Sequence, residues 1–259
     1  MLCVIDYSAI EARVLAWFAG EKWRIEVFRS HGKIYEATAA KLYGVSIDDI
    51  KPNDKRRQHG KVAELALGYQ GGINALQVMG ADEVGLSYEQ LVNTVSSWRR
   101  DNPNIVALWK LAEDAVMYAV RYGEVTNIKG LMVEVIGDTL YISLPSGRYI
   151  AYPGVSFEKG RVSYLDDDRK RTKVQLYGGK IVENIVQGIA RDCLADAMLR
   201  IDRAGYAIVA HVHDEVVVEI DANDSTAPDE IKNIFDTAPS WATDLPLRGE
   251  GFTTQYYRK

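Results

Sequence analysis

The sequence predicts a mixed α/β protein in which a helical block is inserted into a platform built on β-strands. A short apolar run at the N-terminus leads directly into a helical pattern, helical signals dominate from about residue 21 to 122, and β-rich segments return from residue 124. Because strand signals lie at both ends of the chain, we expect the first strand and the last third to form one platform.

The N-terminal elements are a strand at 2–6 (LCVID) and a helix at 7–20 that Gly20 closes. Within the helical block, proline and glycine separate one helix from the next. The expected boundaries are Gly44 after KIYEATAAKLY, Pro52 before a long helix, Pro103 between two helices and Gly123 at the end of the block.

Short β-segments are expected between residues 124 and 178, among them GRVSYLDDD at 160–168. A long amphipathic helix that ends at Gly205 follows, and it leads into a strand-turn-strand at 206–220. A helix and a final strand at 251–259 complete the predicted order.

Composition indicates a globular protein of one or two domains. The 259 residues are 47% hydrophobic and 26% charged, and the formal net charge of −5 argues mildly against a nucleic-acid partner. Cys3 and Cys193 have no zinc-like spacing, so we expect both to be small apolar core residues in a reducing compartment. No run approaches the about 18 apolar residues of a membrane span, and we expect a soluble, cytoplasmic protein without a membrane partner.

Two aspartates end predicted strands that are far apart in sequence. Asp6 follows the first strand, and Asp214 lies between the two strands of 206–220. If these strands share a sheet, the two carboxylates meet at its edge, where like charges require a cation such as Mg²⁺. The alternative for each is an ordinary turn residue. A two-residue hairpin needs positive φ at its centre, so a His-Asp-Glu sequence without glycine costs conformational energy, which favours a functional reason.

The most basic stretch of the sequence is 51–72, KPNDKRRQHGKVAELALGYQGG. Arg57, Lys61, Leu65 and Tyr69 recur every four positions, which predicts one face of a helix. A guanidinium and an ammonium one turn apart suit a polyphosphate, and the apolar and aromatic groups beyond them suit a base. The alternative is a solvated basic helix with an apolar seam.

Three motifs, taken together and in order, resemble those of family A DNA polymerases, the DNA polymerase I-like group. They are DYSAIEAR at 6–13, RRQHGKVAELALGY at 56–69 and VHDEV at 212–216. The wording GKVAELALGYQGG is most similar to phage and prophage members. ENIVQGIARD at 183–192 and PSWATDLPLRGEGF at 239–252 extend the resemblance over essentially the whole chain.

The resemblance implies a palm with an antiparallel sheet and an inserted set of helical fingers. The palm would comprise 1–18 and 145–259, and the fingers 19–144. Family members carry a thumb and often an exonuclease domain upstream, and neither fits before Asp6 in this chain. We therefore expect the thumb to be supplied in trans by an upstream polymerase fragment.

The resemblance also implies a metal site. Asp6 and Asp214 would hold two Mg²⁺ ions, for which Mn²⁺ is a possible substitute, and the main-chain carbonyl of Tyr7 would be a further ligand. Glu215 would be a nearby carboxylate with an indirect role in catalysis.

For the incoming dNTP, the resemblance implies that Arg57 and Lys61 bind the triphosphate and that Lys61 protonates the leaving pyrophosphate. Tyr69 would lie near the templating base. Glu11 would close over the sugar and exclude a 2′-hydroxyl; its alternative is an ordinary helix-surface acid. Leu65 stands where well-known members have an aromatic residue, so stacking on the incoming base does not carry over.

Three further residues match positions that contact the primer strand and the minor groove of the primer-template DNA. They are Arg13, Gln187 and His213, whose alternatives are a solvated arm, a polar helix residue and a structural imidazole. Ala9 and Glu64 replace the family's common Gln and Asn, which predicts altered hydrogen bonding near the site.

The predicted function is Mg²⁺-dependent, template-directed incorporation of dNTPs at a primer 3′ end. One alternative is an inactive prophage remnant that acts at most as a DNA-binding or partner-binding module. A single-subunit RNA polymerase is disfavoured by Glu11. A metal-dependent nuclease or phosphatase leaves the Arg57, Lys61 and Tyr69 face unexplained.

Overall fold

The structure, a computed structural model, describes residues 1–166 and 171–257. The chain forms two compact units, one comprising Met1–Trp17 with Val186–Lys259 and the other Phe18–Ile185. Residues 167 and 168 of the segment predicted at 160–168, and residues 258 and 259 of the predicted last strand, lie outside the described residues.

The first unit is built on a four-stranded antiparallel sheet. Its strands are β1 (Leu2–Tyr7), β9 (Ala207–Val212), β10 (Glu215–Glu219) and β11 (Gly249–Thr254), in the order β11-β1-β10-β9. The first strand of the chain is therefore central and pairs on both sides with strands from the last third. This confirms the shared platform predicted from the sequence.

Three helices contribute to the first unit: α1 (Ile10–Ala19), α9 (Gly178–Arg203) and α10 (Ala227–Asp236), of which α1 and α9 continue into the second unit. Phe235 of α10 is fully buried, and its ring centroid lies 4.4 Å from that of Tyr7. A Cβ at Gly249 would lie 2.8 Å from Cδ1 of Ile5 and 3.0 Å from Cβ of Phe235, so a larger residue at this position of β11 would require these side chains to shift. Cys3 and Cys193 are buried free thiols, as predicted.

The second unit begins with the helical block. Its helices are α2 (Lys22–Ser30), α3 (Ile34–Tyr43), α4 (Lys55–Leu67), α5 (Ile73–Val78), α6 (Ala81–Val84), α7 (Tyr88–Asp101) and α8 (Pro103–Tyr122). The predicted glycine boundaries are left-handed caps, with φ of 64° at Gly44 and 70° at Gly123. Ser87 begins α7 with a capping box, and Pro103 occupies the first turn of α8.

Two small antiparallel sheets follow the helices in the same unit. One comprises β2 (Thr126–Ile128), β3 (Leu131–Ile136), β4 (Thr139–Ser143) and β5 (Tyr149–Tyr152), and the other β6 (Ser156–Glu158), β7 (Arg161–Leu165) and β8 (Lys173–Leu176). Residues 145–185 thus group with the helical block, whereas the sequence placed them with the palm. The palm and fingers boundaries themselves stay a prediction.

None of the helices in the described part of the chain combines the length and the apolarity that a membrane span requires.

Candidate active site

The turn between β9 and β10 is a two-residue hairpin formed by His213 and Asp214. Val212 and Glu215 are paired across it, and His213 has a φ of 56°. A non-glycine residue in the left-handed region costs about 1–2 kcal/mol. The conformational cost expected from the sequence therefore falls on His213. The turn that His213 forms places Asp214 at the tip of the hairpin.

Asp6 and Asp214 lie at the same end of two adjacent central strands. Asp6 of β1 is the cross-strand partner of Glu215, and the next residue, Tyr7, donates its backbone N–H to the carbonyl of Asp214 over 3.3 Å. Asp6 is half-buried and its Oδ1 is inaccessible to solvent, whereas the side chain of Asp214 is partly exposed. The sheet thus brings together the two carboxylates that the sequence predicted as a pair.

Glu215 differs from these two aspartates because it is 5% exposed and already engaged. Its Oε1 accepts a hydrogen bond from the hydroxyl of Tyr257 over 2.9 Å, and this bond raises the pKa of Tyr257. Glu215 is therefore a buried neighbour of Asp6 that the C-terminal segment holds in place. This position is compatible with an indirect role.

The donor set fits Mg²⁺ better than an all-protein metal cage. Within the described residues, no group of three or more His, Cys, Asp and Glu is arranged to hold a metal ion. Mg²⁺ usually binds through one or two carboxylates and completes its shell with water and substrate phosphates. Asp6 and Asp214, joined through the backbone of Tyr7, would supply such a pair of hard oxygen ligands.

An open cleft adjoins the hairpin within the first unit, and we call it the hairpin cleft. Its volume is about 480 Å³. Four of its lining residues were singled out from the sequence, namely Glu11, Gln187, His213 and Asp214, and the others are Ile10, Ala190 and Arg191. The cleft therefore unites residues of the stretches 6–13, 183–192 and 212–216 at one surface.

Arg191 was not singled out from the sequence, although a signal for it was present. It follows Gln187 by four positions in α9, and this spacing places two residues on one helix face. Its exposed side chain brings a permanent positive charge into the hairpin cleft.

Arg13 is neither a solvated arm nor a lining residue of the hairpin cleft. It is 1% exposed, with Nε donating to the carbonyl of Ser8 over 2.6 Å and Nη1 donating to the carbonyl of Pro246 over 2.8 Å. Burial, with a contribution from nearby Arg248, lowers the pKa of Arg13 to about 10. The guanidinium anchors α1 to the turn after β1, and its placement does not support a DNA contact.

The basic face predicted from the sequence lies on α4 in the second unit. Arg57 and Lys61 are partly exposed and Leu65 is 47% exposed, whereas most of the intervening residues are buried. The helix ends at Leu67, and Gly68 is its C-cap. The prediction that Tyr69 continues the same helix face is therefore wrong, because Tyr69 belongs to the following turn.

The two cations of this face have different surroundings. Nε of Arg57 donates to Oε1 of Glu36 in α3 over 2.7 Å, and its guanidinium carbon lies 5.7 Å from the ring centroid of Tyr35. Lys61 has neither a hydrogen-bond nor an ion-pair partner among the described residues.

The backbone after α4 is packed against the start of α9. Gln70 has a φ of 66°, and its Oε1 accepts from the backbone N–H of Gly179 over 2.8 Å. A Cβ at Gly179 would collide with the carbonyl of Tyr69. Glycine at this position therefore permits the close backbone approach that fixes the Tyr69 turn.

Glu64, which replaces the family's common Asn, is buried in the helical block. Its carboxylate forms a bidentate ion pair with Arg24 and accepts hydrogen bonds from Thr38 over 2.6 Å and from the Trp98 indole over 3.2 Å. Glu64 thus links α4 to its neighbouring helices through a buried polar network.

Residues 1–258 match the sequence profile of DNA polymerase family A. The DNA polymerase of Bacillus phage SP02 is 45% identical over 265 residues, which cover 99% of this chain and 41% of that polymerase. The thermostable DNA polymerase I of Thermus thermophilus is 29% identical over 85% of this chain and 22% of its own length. The chain thus spans about two-fifths or less of these relatives.

Among solved structures, the fold is similar to the POL domain of Pol1 from M. smegmatis, in a complex with DNA primer-template and dNTP. The TM-score is 0.65 at 20% identity, with 96% of this chain and 38% of that chain covered. At 20% sequence identity, this structural similarity is evidence for the fold alone.

Proposed function

The chain belongs to DNA polymerase family A, and from this membership we propose that it performs template-directed nucleotidyl transfer, adding dNTPs to the 3′ end of a DNA primer. The observation that carries the proposal is that Asp6 of β1 and Asp214 of the turn before β10 lie at the same end of two adjacent central strands, joined by the hydrogen bond from the Tyr7 N–H to the Asp214 carbonyl. A thumb supplied in trans by an upstream polymerase fragment belongs to the same proposal.

In the first unit, Asp6 and Asp214 would hold two Mg²⁺ ions, or Mn²⁺ in their place, with the Tyr7 carbonyl as a further ligand. When bound, such ions neutralise phosphate charge and favour the deprotonated 3′ hydroxyl. Glu215 acts indirectly, because its bond to Tyr257 fixes a second negative charge beside Asp6. That charge raises the affinity of the pair for cations.

The hairpin cleft is the proposed location of the primer terminus. Gln187 and His213 would contact the primer strand from the minor groove, and Glu11 would lie against the sugar and exclude a 2′-hydroxyl. Arg13 acts through α1: its bonds to the Ser8 and Pro246 carbonyls position the helix that carries Glu11. We therefore assign it a positioning role in place of the DNA contact implied by the resemblance.

In the second unit, Arg57 and Lys61 would bind the triphosphate of the incoming dNTP. A guanidinium offers a fork of donors, and the ammonium of Lys61, which has no partner among the described residues, is available to donate a proton to the leaving pyrophosphate. Leu65 would provide an apolar contact in place of aromatic stacking, and Tyr69 would contact the templating base from its turn.

Primer extension tests the proposal. The chain is incubated with primer-template DNA, dNTPs and Mg²⁺, with and without an upstream polymerase fragment, beside Asp214→Ala and the control Asp202→Ala, an exposed aspartate of α9. We expect extension by the unsubstituted chain and by Asp202→Ala, and loss of at least about a hundredfold in Asp214→Ala.

Extension that survives in Asp214→Ala contradicts the metal-ligand role. An absence of extension under every condition, together with retained DNA binding, supports the alternative of a non-catalytic binding module.

A further inference from the structure

We propose that Arg191 binds a phosphodiester of the primer strand in the hairpin cleft. This inference rests on the proposed function and adds a residue to which neither the sequence analysis nor that function assigned a role. The observation behind it is a guanidinium that lines the same cleft as Asp214, Gln187 and His213.

The contacts of Arg191 with the described residues do not explain why an arginine stands at this position. Its side chain is exposed, and within the described residues it forms neither a hydrogen bond nor an ion pair. Its neighbours Ile189 and Cys193 on α9 are fully buried, so the packing face of the helix is made by other residues. A guanidinium without an internal partner keeps all its donors available for a ligand.

The charges of the hairpin cleft identify the class of ligand. Glu11 and Asp214 bring two negative charges, and Arg191 is the only Lys or Arg among the described residues that line it. The Mg²⁺ ions proposed at Asp214 would offset the charge of Asp214 but not that of Glu11, so a phosphodiester next to Glu11 requires a local cation. Arginine suits this task because its planar fork matches two phosphate oxygens.

The position on α9 favours the primer strand over a free nucleotide. Arg191 lies one helical turn beyond Gln187, which we assign to the primer side of the minor groove. Phosphate contacts of this kind fix the position of a strand without reading its sequence. Arg191 would thus hold the primer backbone while Gln187 and His213 contact its bases.

The test compares Arg191→Gln with Arg203→Gln. Arg203 is an exposed arginine near the end of the same helix, has no partner among the described residues and does not line the hairpin cleft. Both variants lose one positive charge. Binding of a fluorescent primer-template duplex is measured by anisotropy over a series of NaCl concentrations, and thermal melting verifies that both variants are folded.

For Arg191→Gln we expect Kd to rise by about fivefold to tenfold at low salt and the slope of log K against log salt to fall by about one. Arg203→Gln should stay within about twofold of the unsubstituted chain. Arg191→Lys should restore the salt slope and only part of the affinity, since an ammonium retains the charge without the fork.

Equal DNA binding by Arg191→Gln and Arg203→Gln would overturn the inference and leave the polymerase proposal intact, provided that the unsubstituted chain extends primers. An unchanged Kd for DNA with a raised KM for dNTP would also overturn it, because the ligand would then be the triphosphate. A complete lack of DNA binding by the unsubstituted chain at low salt, both with and without the upstream polymerase fragment, would overturn both.

Discussion

Nε of Arg57 donates a hydrogen bond to Oε1 of Glu36 over 2.7 Å, so the arginine proposed to bind the triphosphate is held by a carboxylate of its own unit. The side chain of Glu36 is 13% exposed and that of Arg57 is 30% exposed. Bonding through Nε leaves the two terminal guanidinium nitrogens to face a ligand. We infer that Glu36 orients Arg57 for dNTP binding.

Replacing Glu36 with Ala should raise the KM for dNTP by about threefold to tenfold, because the freed Arg57 side chain must then be ordered by the ligand itself. Glu36→Gln retains an oxygen that can accept from Nε and should stay close to the unsubstituted chain. Steady-state primer extension gives KM and kcat separately, and kcat should change little.

Glu26→Ala is the matched control, since Glu26 is an exposed carboxylate of α2 with no side-chain partner among the described residues. A lower KM in Glu36→Ala would contradict the orienting role and indicate that Glu36 competes with the triphosphate for Arg57.

The sequence predicted the carboxylate pair because strand ends and turn chemistry are local signals. An apolar run that ends at Asp6 and a glycine-free turn at His213 are both visible in short stretches. The structure places Asp6 near the end of β1 and Asp214 in the turn before the adjacent strand β10, as the apolar patterns required.

The contacts of single side chains were not predictable in the same way. Arg13 is buried against Pro246, a residue 233 positions away, and nothing in the DYSAIEAR motif indicates that acceptor. Tyr257 and Glu215 form a similar long-range pair. The end of α4 at Leu67 was missed because a spacing of four continues formally past Gly68, while the backbone does not.

The buried ion pair between Arg24 and Glu64 should be strongly coupled. Their side chains are 1% and 2% exposed, and Thr38 and Trp98 also donate to the Glu64 carboxylate. Arg24→Met leaves that carboxylate buried without its cation, so we expect a loss of about 3–5 kcal/mol in the free energy of unfolding, measured with urea.

The double variant Arg24→Met/Glu64→Leu removes both charges and should lose less than the sum of the two single variants. Strict additivity in this double-mutant cycle would show that the pair does not contribute as a unit.

The hydroxyl of Tyr7 is buried without a hydrogen-bond partner among the described residues, and burial raises the pKa of Tyr7. Tyr7→Phe keeps the ring contact with Phe235 and removes an unsatisfied polar atom, so it should leave stability unchanged or raise it by about 1 kcal/mol. Tyr152→Phe is the matched comparison, because the Tyr152 hydroxyl accepts from Asn184 Nδ2 over 3.0 Å, and it should cost about 1 kcal/mol. Thermal or urea unfolding measures both, and equal losses would refute the distinction.

His59 of α4 should make the stability of the chain depend on pH near neutrality. Burial lowers the pKa of His59 below its usual 6.5. Thr94 Oγ1 donates to the Gln90 carbonyl and lies 2.8 Å from His59 Nε2, so this nitrogen carries the proton, while Nδ1 lies 3.0 Å from the hydroxyl of Tyr43. The neutral ring therefore satisfies both neighbours.

The unfolded chain binds a proton on His59 at a higher pH than the folded chain does. The contribution of the neutral His59 to the free energy of unfolding is therefore complete above pH 6.5. It decreases as the pH falls through 6.5 towards the lower pKa of the folded state. Urea unfolding between pH 7.5 and 5.5 should show a smaller decrease in the free energy of unfolding for His59→Gln than for the unsubstituted chain. His31→Gln, at an exposed histidine, is the control and should retain the original decrease. If His59→Gln retained it as well, carboxylates and not this buried imidazole would account for the pH dependence.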